Sequence, residues 1–414
     1  MGFKKFNFSK QIHENIGLCG YSKPTPIQEQ AISPILAGRD CVGLAQTGTG
    51  KTAAFVLPIL EKLLSGRRNG TRAVIIAPTR ELAEQIHQNV KSMARKTSLR
   101  SAVIYGGVGK QSQLKELRSG ADIVVACPGR LLDLLGEPGV SLRNAGILVL
   151  DEADHMFDHG FLPDIKRIIQ KLPKKRQNLI FSATMPKEII RLIDNILTNP
   201  VRVQVNHTAP ASTISHAWYK ISQAKKTVLL KELLSNQDIT SAVVFTRTKF
   251  KAKNLAIQLD KKGYSAVALQ GNMSQLQRTR AMEGFRDGTF RVLVATDIAA
   301  RGIDVSDISH VINYDLPDTA ESYTHRTGRT GRAEKHGHAI SFADKGDMSM
   351  IALVERNLGM KMSLETIELP QVIETPNRRP ASKRPMENSP GSKQKRYAGK
   401  RKNSRSNAVS PVAR

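Results

Sequence analysis

Short apolar, β-branched runs separated by helix-compatible stretches most constrain what this chain can fold into. In the first half they are CVGLA (41–45), AVIIAP (73–78), SAVIYG (101–106), DIVVAC (122–127), ILVLDEAD (147–154) and NLIFSAT (178–184). Parallel strands need a crossover of a dozen or more residues, usually a helix, and are covered on both faces, so they read as unbroken apolar runs. The alternation therefore predicts an α/β chain with a parallel sheet flanked by helices. It pauses at the polar QVNHTAPAST (204–213) and resumes with SAVVFTRT (241–248), SAVALQ (265–270), RVLVATD (291–297), HVINYD (310–315) and HAISFA (338–343). Two tandem domains are expected, over 1–205 and 216–367, with 206–215 as a linker. Beyond residue 367 the chain becomes rich in Pro, Ser, Asn, Lys and Arg. With few large apolar side chains it cannot offset its ordering entropy, so 368–414 is expected to be a disordered basic tail.

At 414 residues the chain has room for both domains, since a domain takes roughly 100–200 residues. Its formal net charge is +27. Residues 371–414 hold 12 Lys or Arg against 2 Glu, which leaves +17 for residues 1–370, so the body is itself basic. Clustered Lys and Arg gain affinity by releasing counterions from phosphates, which points to a polyanionic partner; solubility alone is the competing explanation. No apolar run approaches the ~18 residues that span a bilayer, and MGFKKFNFSKQIHENIG lacks the apolar stretch of a signal peptide, so a cytoplasmic protein off the membrane is expected. Cys19, Cys41 and Cys127 are odd in number and far apart, without metal-ligand spacing, which argues against disulfides and zinc and leaves buried thiols.

AQTGTGKT (45–52) stands between an apolar run and a helix-compatible stretch, the context a phosphate-binding loop requires. Gly48 and Gly50 let backbone amides approach phosphates, with Thr47 and Thr49 in the same loop; Lys51 reaches the β/γ oxygens and Thr52 offers a hydroxyl to Mg²⁺. Ala45 replaces the usual first glycine, and a glycine-rich turn without function is the competing reading. Further on, ILVL runs into Asp151-Glu152-Ala153-Asp154, which sets carboxylates at the carboxyl end of a buried strand, where open α/β sheets gather ligands. Asp151 would hold Mg²⁺ through water, and Glu152 would orient and deprotonate the attacking water. Alone, the string reads equally as an acidic helix start; beside Lys51 it completes a nucleoside triphosphatase site.

That Asp-Glu-Ala-Asp string, with GYSKPTPIQ (20–28), PTRELA (78–83), SAT (182–184), ATDIAARGID (295–304) and HRTGRTGR (325–332), resembles the DEAD-box RNA helicases in motifs and order. The resemblance implies two RecA-like P-loop domains that use ATP and Mg²⁺. It implies that Gln28 reads adenine and that Phe3 stacks on the base. An amide offers one donor and one acceptor, as adenine N6 and N7 require, whereas guanine shows two acceptors there, so ATP is expected over GTP. In the family, the residues matching Arg329 and Arg332 are arginine fingers, suited to a phosphoryl transition state with charge spread over its oxygens. Asp304, with Gly302 beside it, resembles the ribose-holding position, and His325 the residue that links its motif to the first domain's carboxylates. Ser182 and Thr184 resemble the pair that couples ATP state to strand separation, through hydroxyl bonds to the loop of Asp151 to Asp154.

Expected RNA contacts by the same resemblance are Arg80, Gly106, Gly107, Pro128, Gly129 and Arg130 in the first domain, and Arg247, Gln270, Gly271 and Thr296 in the second. Arginines, small hydroxyls and exposed glycine amides position a backbone without reading bases, so sequence preference should be weak. Cys127 departs from the family's usual threonine, which leaves a backbone donor and no hydroxyl. The expected activity is ATP-dependent, local and non-processive remodelling of single-stranded and duplex-containing RNA by a monomeric or weakly self-associating enzyme, with ribosomal or RNA-decay proteins as candidate partners. An ATP-dependent RNA clamp that assembles complexes is the alternative, and a DNA translocase a third. The short N-terminal extension and basic tail resemble the bacterial RhlE-like branch.

Overall fold

The structure, a computed structural model, describes residues 2–45, 48–205, 213–300, 308–331 and 336–368. Most of the expected linker (206–212) and the expected tail beyond 368 lie outside the described residues. Among those described, fourteen strands form two sheets of seven. The first contains β1 Cys41–Leu44, β2 Ala73–Ile76, β3 Ser101–Ile104, β4 Ile123–Ala126, β5 Ile147–Leu150, β6 Gln177–Ser182 and β7 Val201–Gln204, in the order β3-β4-β2-β5-β6-β1-β7. The second contains β8 Ile214–Lys220, β9 Ala242–Phe245, β10 Ala266–Leu269, β11 Val292–Ala295, β12 His310–Asn313, β13 Gly337–Ala343 and β14 Ser363–Glu365, in the order β10-β11-β9-β12-β13-β8-β14. Every pairing is parallel.

Side chains alternate across a strand, and here both faces are dry. Val74 and Ile76 enter one core of the first lobe with Leu148 and Leu150, while Ile75 and Val149 enter the other with Phe55 and Phe181. In the second lobe Val244 and Val294 go to one core, Val243 and Leu293 to the other. That double burial is why these strands carry no polar alternation. Each such side chain contributes about 1.5–3 kcal/mol on burial. Three strands carry no such run. In β7 only Val203 is buried. β8 begins at Ile214, inside the expected linker, and pairs along its length with β13. β14 is exposed throughout. These three lie at or next to one edge of their sheet and bury too little to look apolar, whereas β3 and β10, at the opposite edges, keep apolar runs.

Each main strand hands over to a helix at its carboxyl end. Thr79, Thr248 and Thr319 accept hydrogen bonds from the backbone N–H of Leu82, Lys251 and Ser322, starting the helices Arg80–Met93, Lys249–Asp260 and Ala320–Thr327. Such caps stabilise a helix start by ~1 kcal/mol and fix where it leaves the sheet.

Candidate functional site

Strand order sorts the expected ligand residues into two groups. On the first sheet the phosphate-loop segment follows β1, Asp151 and Glu152 follow β5, and Ser182 ends β6, three neighbouring strands. Arg80, Gly106 with Gly107, and Pro128 to Arg130 follow β2, β3 and β4, the other half of the sheet. The second sheet repeats the division. Arg247, Gln270 with Gly271, and Thr296 follow β9, β10 and β11, while His325 and Arg329 come after β12.

In the nucleotide half, Gly50 caps the helix Lys51–Leu64 at φ +89°, a conformation that glycine adopts freely. A Cβ there would lie 2.5 Å from Gln28 Nε2 and 3.0 Å from Thr25 Oγ1, so the loop closes on the Gln28 segment. Gln28 is buried; its Oε1 accepts from Thr25 N–H at 3.0 Å and its Nε2 donates to Gly50 O at 3.1 Å. Each end of the amide keeps a second hydrogen-bonding position. Phe3 is 4% exposed and its ring stacks on Tyr21 at 6.2 Å, so this structure holds it in the core of the first lobe. Lys51 Nζ donates to Ala45 O at 2.8 Å. Gly48 takes φ +85°, Thr49 lies beside it, and Thr52 is half-buried in the first turn of the helix. Thr47, Gly302, Asp304 and Arg332 lie outside the described residues.

Asp151 and Glu152 are both buried and are driven apart. Burial pushes the Asp151 carboxyl up to about 6, against the pull of Lys51. Burial also opposes ionisation of Glu152, yet the His155 hydrogen bond, with the charges of His155, Lys51 and Arg329, holds it down at about 2. Glu152 sits at φ +53°, a left-handed backbone for a non-glycine residue, of the kind that costs of order 1–3 kcal/mol and clusters at functional sites. Its Oε2 meets His155 Nδ1 at 2.8 Å, while Oε1 is buried without a hydrogen-bond partner among the described residues. Asp154 ties this loop to β6. Its Oδ2 accepts from the backbone N–H of Ala183 at 3.2 Å and of Thr184 at 2.8 Å and from Thr184 Oγ1 at 3.0 Å, and its own N–H donates to Ser182 Oγ at 3.2 Å. Burial opposes ionisation of Asp154, but the charges of His155, His325 and Lys51, with the Thr184 N–H bond, lower its pKa. A dry carboxyl raised toward neutrality, a lysine and a glycine loop that admits no Cβ suit a magnesium nucleotide.

Among the described residues, side-chain contacts join the lobes in both halves. His155 Nε2 lies 3.2 Å from His325 Nδ1 in the nucleotide half, and Arg278 Nε donates to Glu81 Oε1 at 2.5 Å in the other. His325 therefore reaches Glu152 through His155, a residue that sequence reasoning passed over although it directly follows the Asp-Glu-Ala-Asp string. Glu81 lies within PTRELA, but no motif flags Arg278. Arg326, between His325 and Arg329, bonds both oxygens of Asp297 at 2.5 and 2.7 Å, Asn313 Oδ1 at 2.9 Å and Asp315 O at 2.7 Å. It braces the second lobe, whereas Arg329 lies close enough to Glu152 for its charge to act there.

In the other half the Arg80 guanidinium packs where a Cβ of Gly107 would stand. Arg130 donates to Val108 O at 3.1 Å, which brings the expected contacts after β2, β3 and β4 into one cluster. On the second lobe Arg247 is exposed, and the buried Gln270 accepts from Asn272 N–H at 2.7 Å. The backbone N–H of Cys127, which is not among the expected contacts, bonds Ile104 O at 2.8 Å, because it extends the β3–β4 ladder.

Fold and site together define a tandem RecA-like P-loop protein with one nucleotide cleft between two lobes. A DEAD/DEAH box helicase model matches residues 25–192, and a helicase conserved C-terminal domain model matches 224–334. The chain is 40% identical to a DEAD-box ATP-dependent RNA helicase, CshA, of Bacillus subtilis, over 87% of this chain and 73% of that one. Its structure resembles that of S. cerevisiae Dbp5 bound to RNA and ADP BeF3, with a TM-score of 0.79 at 31% identity over 88% of this chain and 95% of that one. Against Mss116p bound to ssRNA and AMP-PNP the TM-score is again 0.79, at 26% identity over 88% and 79%. This chain belongs to the DEAD-box helicase family.

Proposed function

We propose that the protein is an ATP-dependent RNA helicase that separates or remodels RNA locally each time its lobes close. The observation that carries this reading is the matched division of the two sheets, with contacts between the lobes in both halves. Closure brings the nucleotide residues and the strand-binding residues together in one movement, so each ligand raises affinity for the other.

Gln28 reads the adenine, on which Phe3 would stack by leaving its packing against Tyr21, and Gly302 with Asp304 hold the ribose. Gly48, Thr49, Gly50 and Thr47 cradle the phosphates, and Lys51 neutralises them. Thr52 and Asp151 would hold magnesium, which offsets charge on the β- and γ-phosphates. Glu152 takes the proton of the attacking water through its unpartnered oxygen. Arg329 and Arg332 stabilise the transferring phosphoryl group, a role in which one finger supplies ~10³–10⁵ in rate. Arg80, Gly106, Gly107, Pro128 to Arg130, Arg247, Gln270, Gly271 and Thr296 hold the RNA backbone, and the latch of Asp154 with Ser182 and Thr184 transmits the nucleotide state.

Both CshA and the RhlE-like branch fit this assignment; the basic tail favours the latter. The basic body fits RNA as the polyanionic ligand; the reading takes the enzyme as cytoplasmic and monomeric or weakly self-associating, with ribosomal or RNA-decay proteins as partners. The test is steady-state ATPase of wild type and Glu152→Gln with no nucleic acid, with single-stranded RNA and with matching DNA. RNA-selective stimulation lost in the variant is expected; equal rates in all three conditions would reduce the protein to a general nucleoside triphosphatase.

A further inference from the structure

His155 occupies a position that the helicase assignment leaves without a task. It is 2% exposed in the first turn after Glu152, and both its ring nitrogens are engaged. Nδ1 meets Glu152 Oε2 at 2.8 Å, and Nε2 meets His325 Nδ1 at 3.2 Å, with the two rings edge-on at 83°. A carboxylate only accepts, so the Nδ1 proton of His155 points at Glu152. The contact between the rings then holds one proton, donated by one imidazole and accepted by the other. A leucine of similar volume would fill the space without making either bond. The imidazole is thus the physical link between a residue of the second lobe and the group that activates water.

The second observation is the state of Glu152 itself. Its left-handed backbone leaves the carboxylate dependent on its surroundings for orientation, and with Oε2 taken by His155 the buried Oε1 has no hydrogen-bond partner among the described residues. In an open cleft His325 would be absent and the ring would be held from one side. On closure both ring nitrogens are pinned, and Oε1 acquires a fixed direction.

We propose that His155 is a positioning residue that makes the water-activating carboxylate dependent on lobe closure, by holding Glu152 Oε2 through one ring nitrogen while His325 fixes the other. It acts through Glu152 and touches neither nucleotide nor RNA. The proposal rests on the helicase reading, in which RNA drives closure.

The experiment is a double-mutant cycle on RNA-stimulated ATPase at saturating ATP and RNA, with His155→Leu, His325→Leu and the pair. Each single change is expected to lower kcat by about 10–100-fold, the range for partners that orient a reacting group. The KM for ATP and the affinity for a fluorescent ADP should stay within about threefold, and the double variant should be no worse than the poorer single one, because both act through one chain of contacts. Multiplying losses, or an unchanged kcat in His155→Leu, would overturn the proposal. If His155→Leu fails to fold, His155→Asn decides, since its amide can take the Nδ1 position and hold Glu152 without reaching His325. It should keep the RNA-free rate within about twofold and lose about tenfold of the RNA-stimulated rate; full RNA stimulation in that variant would sink the link to closure. Wild type that RNA does not stimulate would instead sink the helicase reading itself.

Discussion

Arg278 of the second lobe sets its Nε 2.5 Å from Oε1 of Glu81 in the first, with the two side chains 9% and 12% exposed. Arg278 also reaches Gln270 O and Ala299 O, both at 3.4 Å. The guanidinium therefore joins the segments after β10 and β11 to the helix after β2, all in the half of the sheets away from Asp151 and Glu152. This ion pair forms only when the lobes meet.

Breaking the pair should therefore loosen closure before it affects either lobe. Arg278→Ala is expected to raise the RNA concentration for half-maximal ATPase by about tenfold or more, on the scale of ordinary coupling energies of about 1–3 kcal/mol. Glu81→Arg combined with Arg278→Glu should recover part of the loss. A titration of ATPase against single-stranded RNA measures both, and no recovery in the swapped pair would show that the two residues act separately.

Gly50→Ala meets two obstacles, a backbone at φ +89° and a Cβ 2.5 Å from Gln28 Nε2. The backbone alone costs roughly 1–2 kcal/mol. The loop must open to fit the methyl group, so nucleotide affinity should fall by at least about tenfold, read by fluorescent ADP binding, with the second lobe unaffected.

Two arginines three residues apart should fail differently. Arg326→Ala leaves Asp297 and the buried Asn313 without their partner; Asp297 is a third exposed and regains water, but the unpaired amide oxygen of Asn313 does not, which costs about 1–3 kcal/mol, so the melting temperature should drop. Arg329→Lys keeps a charge near Glu152 but not the planar fork, so kcat should fall by up to ~10³ with a much smaller thermal shift. Melting curves and single-turnover hydrolysis separate the two.

Acid stability has an identifiable contributor. Burial lowers His216 from 6.5 to about 4, with its Nδ1 2.9 Å from Tyr323 Oη. A histidine with a depressed folded pKa is neutral in both states at high pH. Its stabilising share is complete above pH 6.5 and is lost as pH falls toward 4. The melting temperature should decline across that window, and His216→Gln should flatten part of the decline.

The elements most legible in the chain were those whose physics is local. The runs at 73–78 and 147–154 announced central parallel strands because both faces are buried. The edge strand β7, with one buried residue, did not. Lys51, Asp151 and Glu152 could be read directly because a phosphate loop and a strand-end carboxylate each need contiguous residues. His155 and Arg278 could not. Their partners stand 170 and 197 residues away, and nothing in either flanking sequence records the distance across a cleft.

By itself the sequence determined a parallel α/β architecture, a nucleotide loop and the chemistry of the residues placed at its strand ends, since apolar runs, glycine conformations and adjacent carboxylates act over a few residues. Only the tertiary structure decided which of those residues share a half of each sheet, which histidine carries the second lobe to Glu152, and which arginine braces a fold while another, three residues on, stands near Glu152. Those outcomes depend on strand order and on lobe contact, where hydrogen bonds form between groups that the chain separates by more than a hundred residues.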